Sequence, residues 1–375
     1  MVPYDHIEVF IADKKVGTLA KYQKYFYVFE YDARWLADGF SLNPFSLPLI
    51  KKVFIPKIDP FDGLFGVFAD SLPDGWGRLL VDRMLLSKGE DLAKISPLQR
   101  LAIVGTSGMG ALTYRPVYSM LSDHDIFDYD HYADECKKIL ASHPSDDLDM
   151  LFTLGGSSGG ARPKILTEID GVDWLIKFPS SSDGTDIGLM EYDYMHCAGE
   201  CGINVPEIKL FESKQCAGYF GCRRFDRNQD ETGNVIRKHM VSVSGLLETS
   251  HRIPNLDYTQ LMKLTLQLTQ DYHEVEQMFR LMCFNVFAHN RDDHSCNFSF
   301  LYDDGRWQLS PAYDLTYSNS LGGEHATCIA GNGKDPGMAD IMKVADYIDF
   351  PEYYAKEIVE EIREIVMGSL KKYLK

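Results

Sequence analysis

The stretch AHNRDDHSCNFSF, residues 288–300, gathers Asp292, Asp293, His294 and Asn297 within a few positions. Carboxylates, an imidazole and an amide so close together suit a metal site, a polar turn or a catalytic loop. The flanking sequence decides among them. Downstream, FSFLY, a turn at Asp303-Asp304-Gly305 and RWQLS read as a β-hairpin. The hairpin runs into AYDL, which carries Asp314 beside Tyr313. Asp292 and Asn297 are separated by four residues.

Asp-x4-Asn, a hairpin, and then an Asp flanked by an aromatic is the order used by protein kinases. Phosphoryl transfer asks the protein mainly for positioning and charge neutralisation. One carboxylate accepts the hydrogen bond of the attacking hydroxyl. An amide oxygen and a second carboxylate hold hard Mg²⁺ ions, which prefer oxygen ligands. On this reading Asp292 faces the hydroxyl, and Asn297 and Asp314 face the metal. The alternative is an acidic hairpin whose Asp and Asn residues cap turns, and it is the better reading for Asp303 and Asp304.

Upstream, Lys177 lies in the strand-like DWLIKFP, and Glu191 follows on the helical GLMEYDYMHCAGECGI, which ends at Gly202. A strand lysine and a helix glutamate anchor ATP phosphates in kinases. GGSSGGARPKILTEI reads as a glycine turn between strands, so the expected order from 150 to 203 is strand, glycine loop, strand, helix. Ala161 stands where a phosphate loop of the Walker type needs Lys, so that template fails. The turn also matches G-x-S-x-G, with Ser158 as a serine-hydrolase nucleophile. That alternative needs a strand before the serine and a helix directly after it, whereas Pro163 and KILTEI follow. As a phosphate-cradling turn, its backbone N–H groups are anion donors.

Bulk properties narrow the class. A chain of 375 residues with 45% hydrophobic and 12% aromatic content has material for two folded domains. With 38 Lys and Arg against 55 Asp and Glu, the net charge of −17 disfavours gripping nucleic acid or an anionic membrane through the overall field. A basic partner or a cation such as Mg²⁺ fits better, and SLKKYLK reads as a solvated helix end. Eight cysteines include no C-x-x-C pair. Cys197 and Cys201 could join His196 around zinc, but reduced thiols in a helix core are the preferred reading. No secretory leader and no apolar run of spanning length is read, so a cytoplasmic protein is expected.

Along the chain, residues 5–30 alternate as a hairpin with Asp13 and Lys14 in its first turn. FDGLFGVFADSLPDGWGRLLVDRMLL turns helical with Pro73, Gly75 and Gly77 breaking it. GTSGMGALTYRP (105–116) runs into a short strand, and 119–147 reads as an acidic connection followed by a helix. PEIKLFE and GYFGCRRFD suggest two more strands. From about 255 the period becomes helical: Leu261, Leu264 and Leu268 share a face, as do Val275, Met278, Phe279 and Met282. Ile358, Ile362, Ile365 and Val366 mark a further helix. A β-rich first part and a mostly helical second part make an α+β, two-lobed layout.

GGSSGGARPK, LIKFP, CRRFDR, DDHSCNFSF and LSPAYDL together resemble the serine/threonine kinases of the HipA type, the toxin half of bacterial toxin–antitoxin pairs. VGTLA, FADSLPDGWGR and GTSGMGAL resemble that family's N-subdomain, so the resemblance covers nearly the whole chain. It implies a protein-kinase-like fold: a β-rich N-terminal subdomain over 1–120, a kinase N-lobe over 121–252 and a helical C-lobe over 253–375. It further implies that Ser157, Ser158, Gly159, Gly160, Ala161, Arg162 and Lys164 cover the ATP phosphates, with Lys177 contacting them and Glu191 supporting. Arg223 to Phe225 would form the adenine hinge, with His294 and Tyr313 close to the nucleotide. Asp292 would be the proton acceptor, and Asn297 and Asp314 the Mg²⁺ ligands.

A loop serine, Ser157 or Ser158, would be autophosphorylated, placing charge where ATP phosphates bind. The implied partner is a small helix-turn-helix antitoxin of the HipB kind, with DNA bound only through it. The implied substrate is a translation protein such as an aminoacyl-tRNA synthetase. An inactive nucleotide-binding module of the same fold is the alternative. Asp293 departs from the family, and would either face solvent or tune Asp292. Arg223 stands where an acid is common, and HMVSVSG (239–245) lacks the family's acidic pair.

Overall fold

The computed structural model describes residues 4–118, 128–145, 147–320 and 322–374. The chain divides into two compact units. One comprises Met1–Gly188 and Phe211–Thr249, the other Leu189–Leu210 and Ser250–Lys375.

The first unit is β-rich. Alternation buries Ile7, Val9, Val16, Leu19, Tyr27, Phe29 and Tyr31 on the inner face of a sheet. Its order is Val53–Phe54, Phe26–Tyr31, Lys14–Tyr22, His6–Ile11 and Leu112–Arg115, with every neighbouring pair antiparallel. The first turn comprises Ala12 and Asp13, with Ala12 at φ 49°, so Lys14 already belongs to the second strand. The expected break around Pro73 separates the short helix Gly66–Ala69 from the helix Gly75–Ser87. A helix not expected from the sequence, Pro97–Val104, is opened by a capping box: the Gln99 N–H donates to Ser96 Oγ at 3.3 Å, and the Ser96 N–H to Gln99 Oε1 at 2.8 Å.

The strands Lys164–Ile169, Val172–Lys177 and Tyr219–Arg223 lie side by side in that order, antiparallel. The segment before the glycine turn corrects the sequence reading. Leu148–Gly155 is a helix, not a strand. A short apolar run carries no period that separates the two, and Leu- and Met-rich composition favours helix. Trp76, Leu80, Tyr132, Cys136, Ile139, Leu151, Ile165, Trp174, Ile176 and Tyr219 form one core. It joins the helices Gly75–Ser87, Tyr129–Leu140 and Leu148–Gly155 to these strands and so fixes both ends of the glycine turn. The acidic connection expected from 119 onward, and the boundary at 120, fall on residues 119–127, outside the described residues.

The second unit is mainly helical. Leu261, Leu264, Leu268, Val275, Met278, Phe279 and Met282 are buried on Tyr258–Thr269 and Tyr272–Phe287, as their period required. Ile358, Ile362 and Val366 are buried on Glu352–Ser369, with Ile365 half-buried. The helix Met338–Tyr347 was not expected. The hairpin pairs Ser299–Asp303 with Arg306–Leu309 around Asp304 and Gly305, both at positive φ. Cys197 and Cys201 are fully buried on or just after the helix Ile187–Glu200, while His196 is exposed, so the zinc alternative gives way to a helix core.

Candidate active site

In the β-rich unit the glycine turn leaves the helix Leu148–Gly155 and enters the strand that begins at Lys164. Ser157 and Ser158 are buried. Ser157 Oγ donates to the Ser107 carbonyl at 2.9 Å, and Ser158 Oγ to the Gly155 carbonyl at 2.6 Å. Gly159, Gly160 and Ala161 form an exposed tip, with Gly160 at φ 80°. A helix before Ser158 and a strand after it is the reverse of what a nucleophile elbow needs, so the serine-hydrolase alternative fails. Arg162 pairs with Asp183 at 3.3 Å.

Lys164 Nζ reaches back to the Gly159 carbonyl at 2.6 Å. Lys164 and Lys177 are direct cross-strand partners, so both ammonium groups leave the same face of the sheet at the base of the turn. Two ammonium groups on one face make a locally positive site, which suits negative charge. Lys177 also lies 5.7 Å from the centre of the Phe220 ring.

Arg223 ends the strand Tyr219–Arg223 and is exposed, and Phe225 is half-buried. Between and beyond them, within CRRFDR, lies a charge cluster whose pairing the sequence does not show. Asp226, fully buried, takes Arg224 Nη2 at 2.8 Å and Arg227 Nη1 at 2.6 Å. Burial alone would raise the Asp226 carboxyl, but the two guanidinium groups hold it below the ordinary carboxylate range.

In the helical unit the candidate loop follows Tyr272–Phe287. Asp292 is open to solvent, its side chain 63% exposed, and His294 Nε2 stands 3.9 Å from its Oδ1. His294 Nδ1 accepts the Cys296 N–H at 3.2 Å, which leaves the proton on Nε2. Asn297 Nδ2 donates to the Asp292 carbonyl at 2.7 Å, so the amide oxygen is the atom Asn297 can offer a cation. Tyr313 Oη donates to the Cys296 carbonyl at 2.7 Å and meets Ser299 Oγ at 2.6 Å. The structure thus ties Asp292, Asn297 and Tyr313 into one assembly. Asp314, next in sequence to Tyr313, is half-buried at φ 56°. A non-glycine residue held in this left-handed region is a strained position of the kind found at functional sites. Glu191 is buried on the helix Ile187–Glu200, in the helical unit, whereas Lys177 belongs to the β-rich one.

Asp293 neither faces solvent nor adjoins Asp292's open carboxylate as a second exposed acid. Its side chain is fully buried. Oδ2 accepts from Tyr258 Oη and faces His325 Nδ1, both at 2.9 Å, and Oδ1 accepts the N–H groups of Ala326 at 2.9 Å and Thr327 at 3.2 Å. Asn285 Nδ2 donates to the Tyr258 hydroxyl at 2.9 Å, and Asn290 Nδ2 to Asn285 Oδ1 at 2.9 Å. Burial and the neighbouring carboxylate push the Tyr258 hydroxyl far above its usual range, so it stays a donor. Asp293 is the anchor from which Asp292 projects. Its partners lie some thirty residues away on either side, so only tertiary structure identifies the role.

Residues 156–369 match the family described as HipA-like C-terminal domain, and residues 7–115 match HipA N-terminal domain. Among solved structures, the chain is similar to HipA of the Shewanella oneidensis MR-1 toxin–antitoxin system, determined in complex with HipB and its operator DNA. The identity is 18% and the TM-score 0.72, over 98% of this chain and 91% of that one. It also matches the Helicobacter pylori proinflammatory kinase CtkA at 13% identity and TM-score 0.37, over 56% of this chain and 91% of that one. No curated protein matches.

Proposed function

The chain belongs to the HipA family, and on that premise we propose that it is an ATP- and Mg²⁺-dependent serine/threonine protein kinase, the growth-arresting toxin of a toxin–antitoxin pair. Its fold is α+β and kinase-like, with a β-rich and a helical unit. The observation that carries the reading is the lysine pair. Lys164 and Lys177 stand opposite each other beneath a glycine turn, a placement that favours a polyanion.

The roles follow from the chemistry of the groups. Lys164 and Lys177 bind and orient phosphate oxygens, and the exposed N–H groups of 159–161 add donors. Asp292 takes the proton of the substrate hydroxyl as its oxygen bonds to the γ-phosphorus. The bond from phosphorus to the β–γ bridging oxygen breaks, and ADP leaves with that electron pair. Asn297 Oδ1 and the Asp314 carboxylate are hard oxygen donors that fit Mg²⁺, which when bound neutralises phosphate charge. On this reading Arg223 and Phe225 are the nucleotide-contacting residues of the β-rich unit and His294 and Tyr313 those of the helical unit, which also carries Glu191.

The substrate class is a translation protein such as an aminoacyl-tRNA synthetase, and Ser157 or Ser158 receives phosphate in autophosphorylation. A helix-turn-helix antitoxin is the partner, and a basic DNA-binding protein suits a chain of net charge −17. Eight free thiols fit a reducing, cytoplasmic compartment, and among the described residues no helix is long and apolar enough to cross a membrane.

The test is incubation with γ-labelled ATP and Mg²⁺ beside Asp292→Gln, followed by mapping of the label. Label on Ser157 or Ser158 that falls by about a hundredfold or more in the variant supports the kinase. Because Asp292 is exposed, the variant should keep its stability within about 0.5 kcal/mol. Failure of both proteins to bind ATP refutes the assignment.

A further inference from the structure

Two glycine motifs of the β-rich unit, DGWG at 74–77 and GTSGMG at 105–110, take none of the roles given above, yet both meet the glycine turn. The helix Gly75–Ser87 begins at the first; the Gly77 N–H donates to the carbonyl of the N-cap Asp74 at 3.1 Å, and the other first-turn N–H groups look for partners outside the helix. One of them, on Trp76, donates to the Gly160 carbonyl at 2.8 Å. The buried Trp76 indole donates through Nε1 to the Lys164 carbonyl at 3.2 Å. Gly75 sits at φ 50°, and a Cβ on it would lie 2.3 Å from the Gly160 carbonyl oxygen. A Cβ on Gly77 would lie 2.1 Å from that of Ser158. Both contacts are backbone against backbone, so only glycine lets the helix start approach this closely.

The second motif grips the other flank. The Ser107 carbonyl takes the Ser157 hydroxyl. That segment is itself clamped. Arg227 Nη2 donates to the Gly108 carbonyl at 2.8 Å and Nη1 to that of Gly110 at 2.9 Å, while the Gly110 N–H donates to Asp226 Oδ2 at 2.7 Å. Ser157, Ser158, Gly160 and Lys164 are thus all held, while the tip at Gly159 meets nothing within 4 Å of a would-be Cβ. The loop is held at Gly160 and at both flanks, the Gly159 carbonyl takes Lys164 Nζ, and only the outer side of Gly159 is open.

We propose that the N-terminal motifs form a cradle that sets the position of the nucleotide loop, with Gly75, Gly77, Trp76 and Ser107 as positioning residues that govern affinity for ATP. The inference rests on reading 156–164 as the phosphate-binding loop. A glycine-rich segment loses much conformational freedom on ordering. Held in advance by the cradle, it does not draw that cost from nucleotide binding. The cradle also gives the N-terminal domain a role in the chemistry of a loop that follows it in sequence.

The experiment compares the full chain with Gly77→Ala, using Gly368→Ala as a control, since a Cβ there meets nothing within 4 Å. Three quantities are read: Kd for MgATP by titration, KM for ATP against kcat, and hydrogen exchange of the amides of 156–161. For Gly77→Ala the expected result is an affinity and KM for ATP weakened about tenfold or more, with kcat changed less and faster exchange at 156–161. The control should match the parent chain. Should Gly77→Ala not fold, Trp76→Phe, which removes the bond to Lys164, is read the same way. Unchanged Kd with unchanged exchange overturns the cradle, and so does faster exchange with unchanged Kd. A parent chain that binds MgATP but transfers no phosphate refutes the kinase reading alone, because Kd and exchange still report on the cradle.

Discussion

Asp293→Asn separates two neighbouring carboxylates by what each does. The substitution keeps shape and one oxygen but exchanges the other for an amide. Ala326 and Thr327 offer peptide N–H groups, which cannot reverse, so the remaining oxygen must face them. The new NH₂ then meets Tyr258 Oη and His325 Nδ1. The imidazole accommodates it by carrying its proton on Nε2. The tyrosine does not. Its oxygen already accepts from Asn285, and its own proton is left buried without an acceptor.

An orphaned buried donor costs about 1–3 kcal/mol, and weakening two charge-assisted bonds to peptide N–H groups adds about 1 kcal/mol. The expected loss is therefore about 3 kcal/mol for Asn, and about 5 kcal/mol for Ala, which leaves every donor unmet. Urea titration followed through Trp307, the one tryptophan of the helical unit among the described residues, measures it. Asp292→Asn, on an exposed side chain, should stay within about 0.5 kcal/mol. An Asp293→Asn protein as stable as its parent but unable to transfer phosphate would falsify the anchor and make Asp293 the working acid.

Asp226→Ala leaves Arg224 and Arg227 buried without their carboxylate and should cost about 3–5 kcal/mol; a loss under about 1 kcal/mol in urea titration contradicts the clamp. Asp314→Asn suits the left-handed φ as well as Asp does, so stability should hold while the Mg²⁺ concentration for half-maximal transfer rises about tenfold or more; an unchanged Mg²⁺ requirement removes Asp314 from the metal. Acid should act with opposite signs through the buried His239 and the half-buried Asp70. Burial pushes the His239 imidazole down to about 4, so between the usual 6.5 and 4 the unfolded chain holds more protons and stability falls as pH falls. Burial pushes the Asp70 carboxyl up to about 6 against the bonds from Ser242, so between 6 and 3.8 the folded chain holds more protons and stability rises as pH falls. Each is worth about 3 kcal/mol. Relative to the parent, His239→Gln should gain stability from pH 6.5 to 4 and Asp70→Asn should lose it; parallel pH profiles for the two contradict both.

What the sequence disclosed and what it withheld divide along one physical line. The strand pattern of residues 5–30, the faces of Tyr258–Thr269 and Tyr272–Phe287, and the hairpin after Asn297 are local: side-chain period and turn chemistry are enough to read them. The pattern over Leu148–Gly155 suits a strand as well as the helix that forms, because eight apolar-rich residues carry no decisive period, and only the core around Trp76 and Leu151 settles it. Asp292 and Asp293 show the limit most plainly. Side by side in sequence they are the same residue twice, and no pattern says which is exposed. The difference comes from Tyr258, His325 and the amides of Ala326 and Thr327, which converge on one carboxylate and leave the other to the solvent. The glycines of DGWG and GTSGMG follow the same logic. In sequence they read as breaks and loops, and it is the approach of a distant backbone at Ser158 and Gly160 that requires a residue without a Cβ. A motif names the groups that chemistry needs, but the partners that fix each group in its role are brought to it only by the fold.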